Sequence, residues 1–365
     1  MFRCGPATGF ARLSTFQARA VLSLLVLSAL FFIGVSLSPL ASGFADSPYR
    51  GPGDVGLYRA EVDRIGQGES YYSAAAEELR ARGYPTRSIF NWRTPLPVWL
   101  IGSLPNPALG KALLIALAIL AACLAFSWLS EEAGPVGTAL GMALLGGALL
   151  PCALGDLFVM PVLWSGVCIA LSLAALGTRR TALGVVAGIA ALFLRELAAP
   201  YCLICFGMAL GQRRRAEASG WLAGFAVYAI YYAVHLAQVL HRIGPADIAH
   251  ADGWVRFGGA GFVISTVQMN AYLLLLPQWL TALFLSFALL GFAGWNTISG
   301  RRAALTAAVY LAAFAAVGHD FNQYWGSMIA PLMALGTARV PAAIRDLLSA
   351  GQMALPRSTA IEAGR

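Results

Sequence analysis

Residues 109–129 read LGKALLIALAILAACLAFSWL, an apolar stretch interrupted by a single charge, Lys111. A helix of about 20 residues spans about 30 Å, the thickness of the hydrocarbon core of a bilayer. Similar apolar runs recur along the whole chain, which is 59% hydrophobic and 12% charged. Soluble domains carry about 25% charged residues. The composition therefore excludes secreted, cytosolic-soluble and disordered proteins and indicates a membrane protein.

Dividing the apolar runs at charges, prolines and glycine clusters predicts an all-α polytopic protein, one membrane domain over residues 1–365 with about ten transmembrane helices. The runs 181–194, 198–211 and 326–338 are shorter than a perpendicular crossing requires. The predicted spans are 20–40, 109–129, 136–150, 157–177, 181–194, 198–211, 219–240, 270–295, 303–317 and 326–338.

The first predicted span follows three arginines and is followed by Gly43-Phe44-Ala45, which is similar to a weak signal-peptidase site. A run of about 20 residues fits a crossing better than the roughly 7–15-residue core of a signal peptide. We expect a retained span with a cytoplasmic N-terminus, and cleavage is the alternative.

The positive charges indicate the orientation of the chain. Its net charge is +8, with 25 Lys+Arg, and the arginines lie mostly between apolar runs. A cytoplasmic N-terminus places the clusters 179–180, 213–215 and 301–302, and a short tail over 339–365, on the cytoplasmic side, as the positive-inside rule requires. This placement removes the reason to expect nucleic-acid binding. Arginine in place of lysine is typical of GC-rich bacteria, so we expect a multi-pass protein of the bacterial inner membrane.

The stretch 42–106 has a soluble-like composition and is predicted to be a long first periplasmic loop carrying two amphipathic surface helices, broken near residues 66–68. Asp54 lies close to the membrane at the start of the first of these helices. Its carboxylate can cap a helix beginning at Val55, or it can take a proton from an acceptor hydroxyl. The predicted apolar anchors of the loop are Tyr58, Val62, Ile65 and Leu79.

Arg195 and Glu196 interrupt an apolar stretch, where a charge costs roughly 2.5–3.5 kcal/mol at a helix centre. Adjacent helical residues point in different directions, so we expect each to need its own partner. The planar, permanently charged guanidinium of Arg195 suits a phosphate. Structural salt bridges within the bundle are the alternative.

The other polar candidates all map to the predicted outer face, where the long loop could cover one shared pocket. Each signal is weak when taken alone. The neighbouring Trp92 and Trp325 also suit an interfacial aromatic belt, and His319 also suits a solvated loop. The histidines have no repeated ligand spacing, so neither a metal nor a cofactor is expected. These candidates are Arg93, Asp156, His319, Gln323 and Tyr324.

Several of these positions form a longer pattern that resembles the GT-C superfamily of integral-membrane glycosyltransferases, with the closest likeness to bacterial polyprenyl-phosphate-mannose-dependent mannosyltransferases. Many members carry two adjacent acidic residues where this chain has Asp54 followed by Val55. The pattern comprises Asp54-x-x-x-Tyr58, Ile65-x-x-Gly68-x-x-Tyr71-Tyr72, Arg93-x-Pro95-Leu96, Asp156, Leu194-Arg195-Glu196, and Tyr324-Trp325 followed by Ala330-Pro331-Leu332.

The resemblance implies transfer of a sugar, with inversion, from a polyprenyl-phosphate donor to a hydroxyl acceptor at the periplasmic face. It implies that Asp54 is the general base and that Arg195, with Arg93, stabilises the departing phosphate. The partners implied are the lipid donor, an unidentified acceptor and membrane lipids. The remaining residues expected to bind substrate are Tyr58, Asp156, Glu196, His319, Gln323 and Tyr324.

Three other functions remain open at this point. A transporter or flippase would have broken helices with polar groups near the midplane. A polysaccharide polymerase or ligase would use lipid-linked saccharides in similar outer loops. A noncatalytic assembly subunit would not depend on Asp54.

Overall fold

The computed structural model describes residues 5–38, 53–249 and 256–352, and within these ranges it is all-helical, with no strand. The signal-peptidase-like residues 43–45, the start of the long loop and the end of the predicted tail lie outside the described residues. The helices are α1 (Thr15–Ser36), α2 (Gly53–Gly66), α3 (Tyr71–Ala81), α4 (Leu96–Gly102), α5 (Pro107–Glu132), α6 (Gly134–Leu149), α7 (Pro161–Gly177), α8 (Thr181–Leu194), α9 (Ala199–Gly211), α10 (Arg215–Arg242), α11 (Gly259–Val267), α12 (Gln278–Gly294), α13 (Ile298–Ala316), α14 (Gly326–Thr337) and α15 (Val340–Gln352).

Four helices among the described residues are long and apolar enough to cross a membrane: α1, α5, α10, and α6 with the turn that follows it to Ala153. A fifth is obtained if the segment Asp320–Thr337 and α15, bent by 43°, form one span. The other predicted spans coincide with helices that are shorter or less apolar. The all-helical class is thus confirmed and the candidate spans are consistent with a membrane protein, whereas ten crossings remain a prediction.

Polar residues set several helix starts that the apolar pattern misses. Ser14 and Gln17 form a capping box, so α1 begins at Thr15, five residues before the predicted span. Asn106 caps α5 ahead of Pro107, and Thr297 caps α13 through the backbone N–H of Gly300. The caps satisfy N–H groups that have no partner inside the helix.

Helix α7 forms the centre of the bundle, because it is buried along nearly its whole length and packs against α5, α8 and α14. Helices α12 and α14 approach most closely at Gly291, where a Cβ atom would lie 1.9 Å from the carbonyl oxygen of Gly336. Only glycine permits that approach, so this contact fixes the spacing of the two helices.

Helices α8 and α9 form a hairpin. Thr181, which begins α8, and Arg215, which begins α10 directly after α9, line the same cavity. The start of α8 and the end of α9 therefore lie at one end of the bundle. Arg195 and Glu196, which join the two helices, lie at the opposite tip, as the predicted hairpin requires.

The surface helices of the long loop dock on the bundle at that tip. Helix α2 packs against α3 and α4, and α3 contacts the end of α10. The break between α2 and α3 falls at residues 67–70, close to the predicted break, and Ser70 caps α3. The predicted anchors Tyr58, Val62, Ile65 and Leu79 are all buried.

Candidate functional site

Asp54 lies in the first turn of α2 and binds a tyrosine. The helix begins at Gly53 rather than at Val55, so Asp54 is inside the helix and not before it. Its Oδ1 atom accepts a hydrogen bond of 2.5 Å from the hydroxyl of Tyr84. A carboxylate in the first turn also interacts favourably with the positive end of the helix dipole.

Tyr58 and Arg93 form the next layer of the site. Tyr58 lies one turn after Asp54 and is 2% exposed, and burial raises the pKa of its hydroxyl. The Nε atom of Arg93 donates to that hydroxyl at 3.3 Å. The carbonyl oxygen of Arg93 accepts a hydrogen bond of 2.5 Å from Tyr71. The arginine is therefore held from both its side chain and its backbone.

Arg195 and Glu196 contact each other, so the expectation of separate partners is wrong. Arg195 leaves the helix with an extended backbone, φ −157° and ψ 121°, and the directions of adjacent helical side chains no longer apply. Oε1 of Glu196 lies 3.7 Å from NH1 of Arg195 and 3.7 Å from NH1 of Arg93. One carboxylate thus lies between two guanidinium groups.

The guanidinium of Arg195 is buried with its donors unused. The side chain is 1% exposed, and Nε, NH1 and NH2 all lack a hydrogen-bond partner among the described residues. A guanidinium carries five N–H donors, and leaving such donors buried and unpaired is costly. An anion seated beside Arg195 would satisfy them.

Two tyrosines, Tyr58 and Tyr324, interact electrostatically with Asp54, Arg93 and Arg195. The charges of all three lie within electrostatic range of the hydroxyl groups of Tyr58 and Tyr324. Tyr324 belongs to a short 3-10 turn, Asp320–Trp325, ahead of α14. The structure therefore brings the start of α2, Arg93, the tip of the α8–α9 hairpin and this turn together at one end of the bundle.

Glu61, which is not among the site residues predicted from the sequence, belongs to the same face of α2. Asp54, Tyr58 and Glu61 are spaced i, i+4 and i+7, which places them on one side of a helix. Glu61 is 2% exposed, and its Oε2 atom has no hydrogen-bond partner among the described residues. Burial raises the pKa of Glu61 to about 8, and the nearby charges of Glu78 and Asp54 add to the rise. The i, i+7 spacing from Asp54 was the signal that could have found it.

Asp156 is placed apart from this cluster. Its side chain is 57% exposed and forms an ion pair with Arg59, at 3.4 Å between Oδ1 and NH1. Arg59 also pairs with Asp63 on the outer side of α2. The prediction that Asp156 binds substrate has no support from these contacts, which link it to the surface of the loop.

The last outer turn is more buried than expected. His319 is 3% exposed and its ring stacks on Phe321, so the solvated-loop alternative is wrong. Trp92 and Trp325 are also buried rather than in an exposed belt, and the Nε1–H of Trp92 donates to the carbonyl of Thr86. Gln323 is buried with its Oε1 atom unpaired among the described residues.

An aromatic cavity of about 570 Å³ adjoins the cluster. It lies between the α2–α3 turn, α4 and α10, and Tyr71, which binds Arg93, forms part of its wall. The shape suits a ligand with apolar and polar parts, since such pockets combine aromatic walls with a few polar groups. The other lining residues are Ile65, Gly68, Glu69, Ser70, Tyr72, Pro95, Leu96, Trp99, Ser103 and Tyr231.

No group of three or more His, Cys, Asp or Glu side chains that could hold a metal ion occurs in the described part of the chain. No family model, curated protein or solved structure matches the chain. The resemblance to the GT-C superfamily therefore stays a prediction resting on the residues that carry it.

Proposed function

We propose that the chain is an inverting glycosyltransferase that moves a sugar from a polyprenyl-phosphate donor to a hydroxyl acceptor at the outer face of the bacterial inner membrane. The observation that carries the proposal is the buried guanidinium of Arg195, whose donors lack hydrogen-bond partners in the described structure. Arg195 and Asp54 both lie near Tyr58 and Tyr324. A buried guanidinium for the leaving phosphate and a carboxylate base near the same two tyrosines are what this reaction needs.

Arg195 and Arg93 would bind the donor phosphate. Both contact Glu196, which holds them about the same carboxylate oxygen and leaves more positive than negative charge at the hairpin tip. Negative charge grows on the phosphate as its bond to the sugar breaks. Preformed guanidinium donors in a water-poor site stabilise that charge more strongly than water does.

Asp54 would act as the general base. The acceptor oxygen attacks the anomeric carbon, the bond from that carbon to the phosphate oxygen breaks, and Asp54 takes the proton of the acceptor hydroxyl. The leaving group is a lipid phosphate that departs without being protonated, so the second carboxyl group of glycoside hydrolases is not required. Tyr84 would keep the base oriented through its hydrogen bond.

The aromatic cavity would take the part of a substrate next to the reacting group. It lies between α4 and α10, a candidate membrane span, so a prenyl chain could reach it from the bilayer. With about ten crossings and a cytoplasmic N-terminus, the positive-inside rule puts the hairpin tip on the periplasmic side.

A transporter is less well supported by these contacts. Its substrate site would lie midway along broken helices, whereas the Arg195–Glu196 pair occupies the tip of a hairpin and lies under the long loop. The polymerase or ligase alternative shares the donor chemistry and differs in the saccharide carried.

The test is sugar transfer in membranes containing equal amounts of wild type, Asp54→Asn or Asp63→Asn, supplied with a panel of radiolabelled polyprenyl-phosphate sugars. Asp63 is the matched control, because it is an exposed carboxylate on the same helix. We expect transfer by wild type and Asp63→Asn, and none by Asp54→Asn. Full transfer by Asp54→Asn would remove the proposed base.

A further inference from the structure

A second polar cavity, of about 790 Å³, lies at the end of the bundle opposite Arg195. The starts of α8, α10 and α13 meet there. Helix α8 has 14 residues, so its length separates this cavity from Arg195 by about 21 Å. The charged lining residues are Glu131, Glu132, Arg179, Arg214, Arg215 and Glu217.

The acidic side chains of this cavity are largely engaged by protein donors. Glu217 accepts a hydrogen bond of 2.8 Å from Arg302, which is fully buried behind it, and one of 3.2 Å from Arg214. Oε2 of Glu132 accepts from the Trp295 ring N–H at 2.5 Å and from the Thr297 hydroxyl at 2.8 Å. Glu217 is therefore ion-paired and the Glu132 carboxylate is hydrogen-bonded, whereas Glu131 is exposed and forms no ion pair with a described residue.

Two arginines of the cavity remain available. Arg179 and Arg215 are exposed and form no ion pair with any described residue. They come from separate segments, one before α8 and one at the start of α10, and the fold brings them to the same opening. Two guanidinium groups at one opening can bind several oxygens of a phosphate.

Backbone donors add to this arginine pair. Neither α8 nor α10 has a side-chain cap at its start. In α10 the N–H of Arg215 already donates to the carbonyl of Arg213, and Glu217 lies in the first turn. Thr181 and Ala216, in these two first turns, line the cavity. Helix starts favour anions through both their free N–H groups and the helix dipole.

We propose that this cavity binds the phosphate group of a second ligand, held by Arg179 and Arg215 against the starts of α8 and α10. The ligand is either an anionic lipid headgroup or a soluble phosphate compound. The inference is independent of the proposed sugar transfer, because it concerns the opposite end of the bundle and uses none of the same residues.

Calorimetric titration of the detergent-solubilised full chain tests the proposal, with pyrophosphate in one arm and dioctanoyl phosphatidic acid in the other. We expect wild type to bind in at least one arm, and the arm that responds identifies the source of the phosphate. The double variant Arg179→Gln/Arg215→Gln should bind at least tenfold more weakly. Arg301→Gln is the matched control, since Arg301 is an exposed arginine in the first turn of α13 that does not line the cavity.

No binding by wild type in either arm, equal binding by the double variant, or an equal loss in Arg301→Gln would overturn the proposal. Phenylglyoxal modification of the wild-type protein, read by mass spectrometry, keeps it testable should the double variant fail to fold. Pyrophosphate or the lipid should slow modification of Arg179 and Arg215 but not of Arg301. If neither ligand slows modification of Arg179 and Arg215 more than that of Arg301, the site is refuted.

Discussion

The hydroxyl of Tyr84 donates a hydrogen bond of 2.5 Å to Oδ1 of Asp54, which lies 30 positions earlier in the chain. Burial, the negative charge of Asp54 and this hydrogen bond all raise the pKa of Tyr84 well above its usual value, so the phenol keeps its proton at neutral pH. The position of the Asp54 carboxylate at the start of α2 is therefore fixed by the hydroxyl of Tyr84, which follows α3 in the chain.

Tyr84→Phe removes that donor and keeps the ring. Hydrogen bonds to charged groups contribute about 1.5–3 kcal/mol, so we expect sugar transfer at saturating donor to fall roughly tenfold to a hundredfold. The measurement is kcat against the wild type, with Tyr272→Phe as a control because Tyr272 is a half-exposed tyrosine elsewhere. An unchanged kcat would show that Asp54 does not need Tyr84.

Arg195→Met should abolish donor binding and lower the stability of the ligand-free protein. The change removes one of the two guanidinium groups that contact Glu196. Loss of the sole partner of a buried charge costs roughly 3–5 kcal/mol, and we expect a smaller loss here because Arg93 remains. Thermal unfolding with and without decaprenyl phosphate measures both effects. We expect the lipid to stabilise only the wild type. A less stable variant that still responds to the lipid would make Arg195 a structural residue.

Glu61→Gln should change how stability depends on pH. Burial raises the pKa of Glu61 from 4.5 to about 8, so folding favours the protonated acid. The contribution of Glu61 to the stability of the wild type should therefore be greatest below pH 4.5, decline as the pH rises, and level off above about pH 8. The glutamine variant lacks this decline, so its advantage should grow from pH 5 to pH 8.

Chemical denaturation at several pH values gives that comparison. Glu131→Gln is the control, since Glu131 is exposed. A constant difference between Glu61→Gln and the wild type across this range would show that Glu61 titrates normally.

Asp247→Asn should loosen the segment after α10. Asp247 accepts hydrogen bonds from Arg80, Thr86 and the backbone of Gly244, and the Arg80 bond is the main cause that lowers the pKa of Asp247. A lowered pKa means that the stabilisation is present above about pH 4 and is lost as the pH falls further. Amide hydrogen exchange over residues 243–249 should be faster in the variant at pH 7, with the difference shrinking in acid. Equal exchange at pH 7 would contradict this role.

The apolar runs and breakers predicted the helices well, because bilayer-scale hydrophobicity acts locally along the chain. Every predicted span overlaps a helix, and the α2–α3 break lies near Gly68. The span predicted over 270–295 starts too early, since α12 begins at Gln278. The apolar runs alone do not determine how many of these helices cross the membrane. Helices such as α8 and α9 are too short to decide that from composition alone.

The contacts of the site were harder to predict, because they depend on where helices end and what they pack on. The Arg195–Glu196 contact arises from an extended residue after α8, which helical spacing cannot anticipate. The bond from Tyr84 to Asp54 requires the loop to fold back, and the burial of His319 requires its turn to pack against α11. Each is set by tertiary packing rather than by local pattern.

Helix α1 depends on partners that are translated much later. Its main neighbours are α11, α12 and α15, and the backbone and hydroxyl of Thr8 just before it bind the carboxylate of Asp346, 338 positions further on. Most of its apolar side chains otherwise face outward. During synthesis this helix is therefore made long before the final third of the chain, so its exposed apolar surface lacks those neighbours until translation is nearly complete.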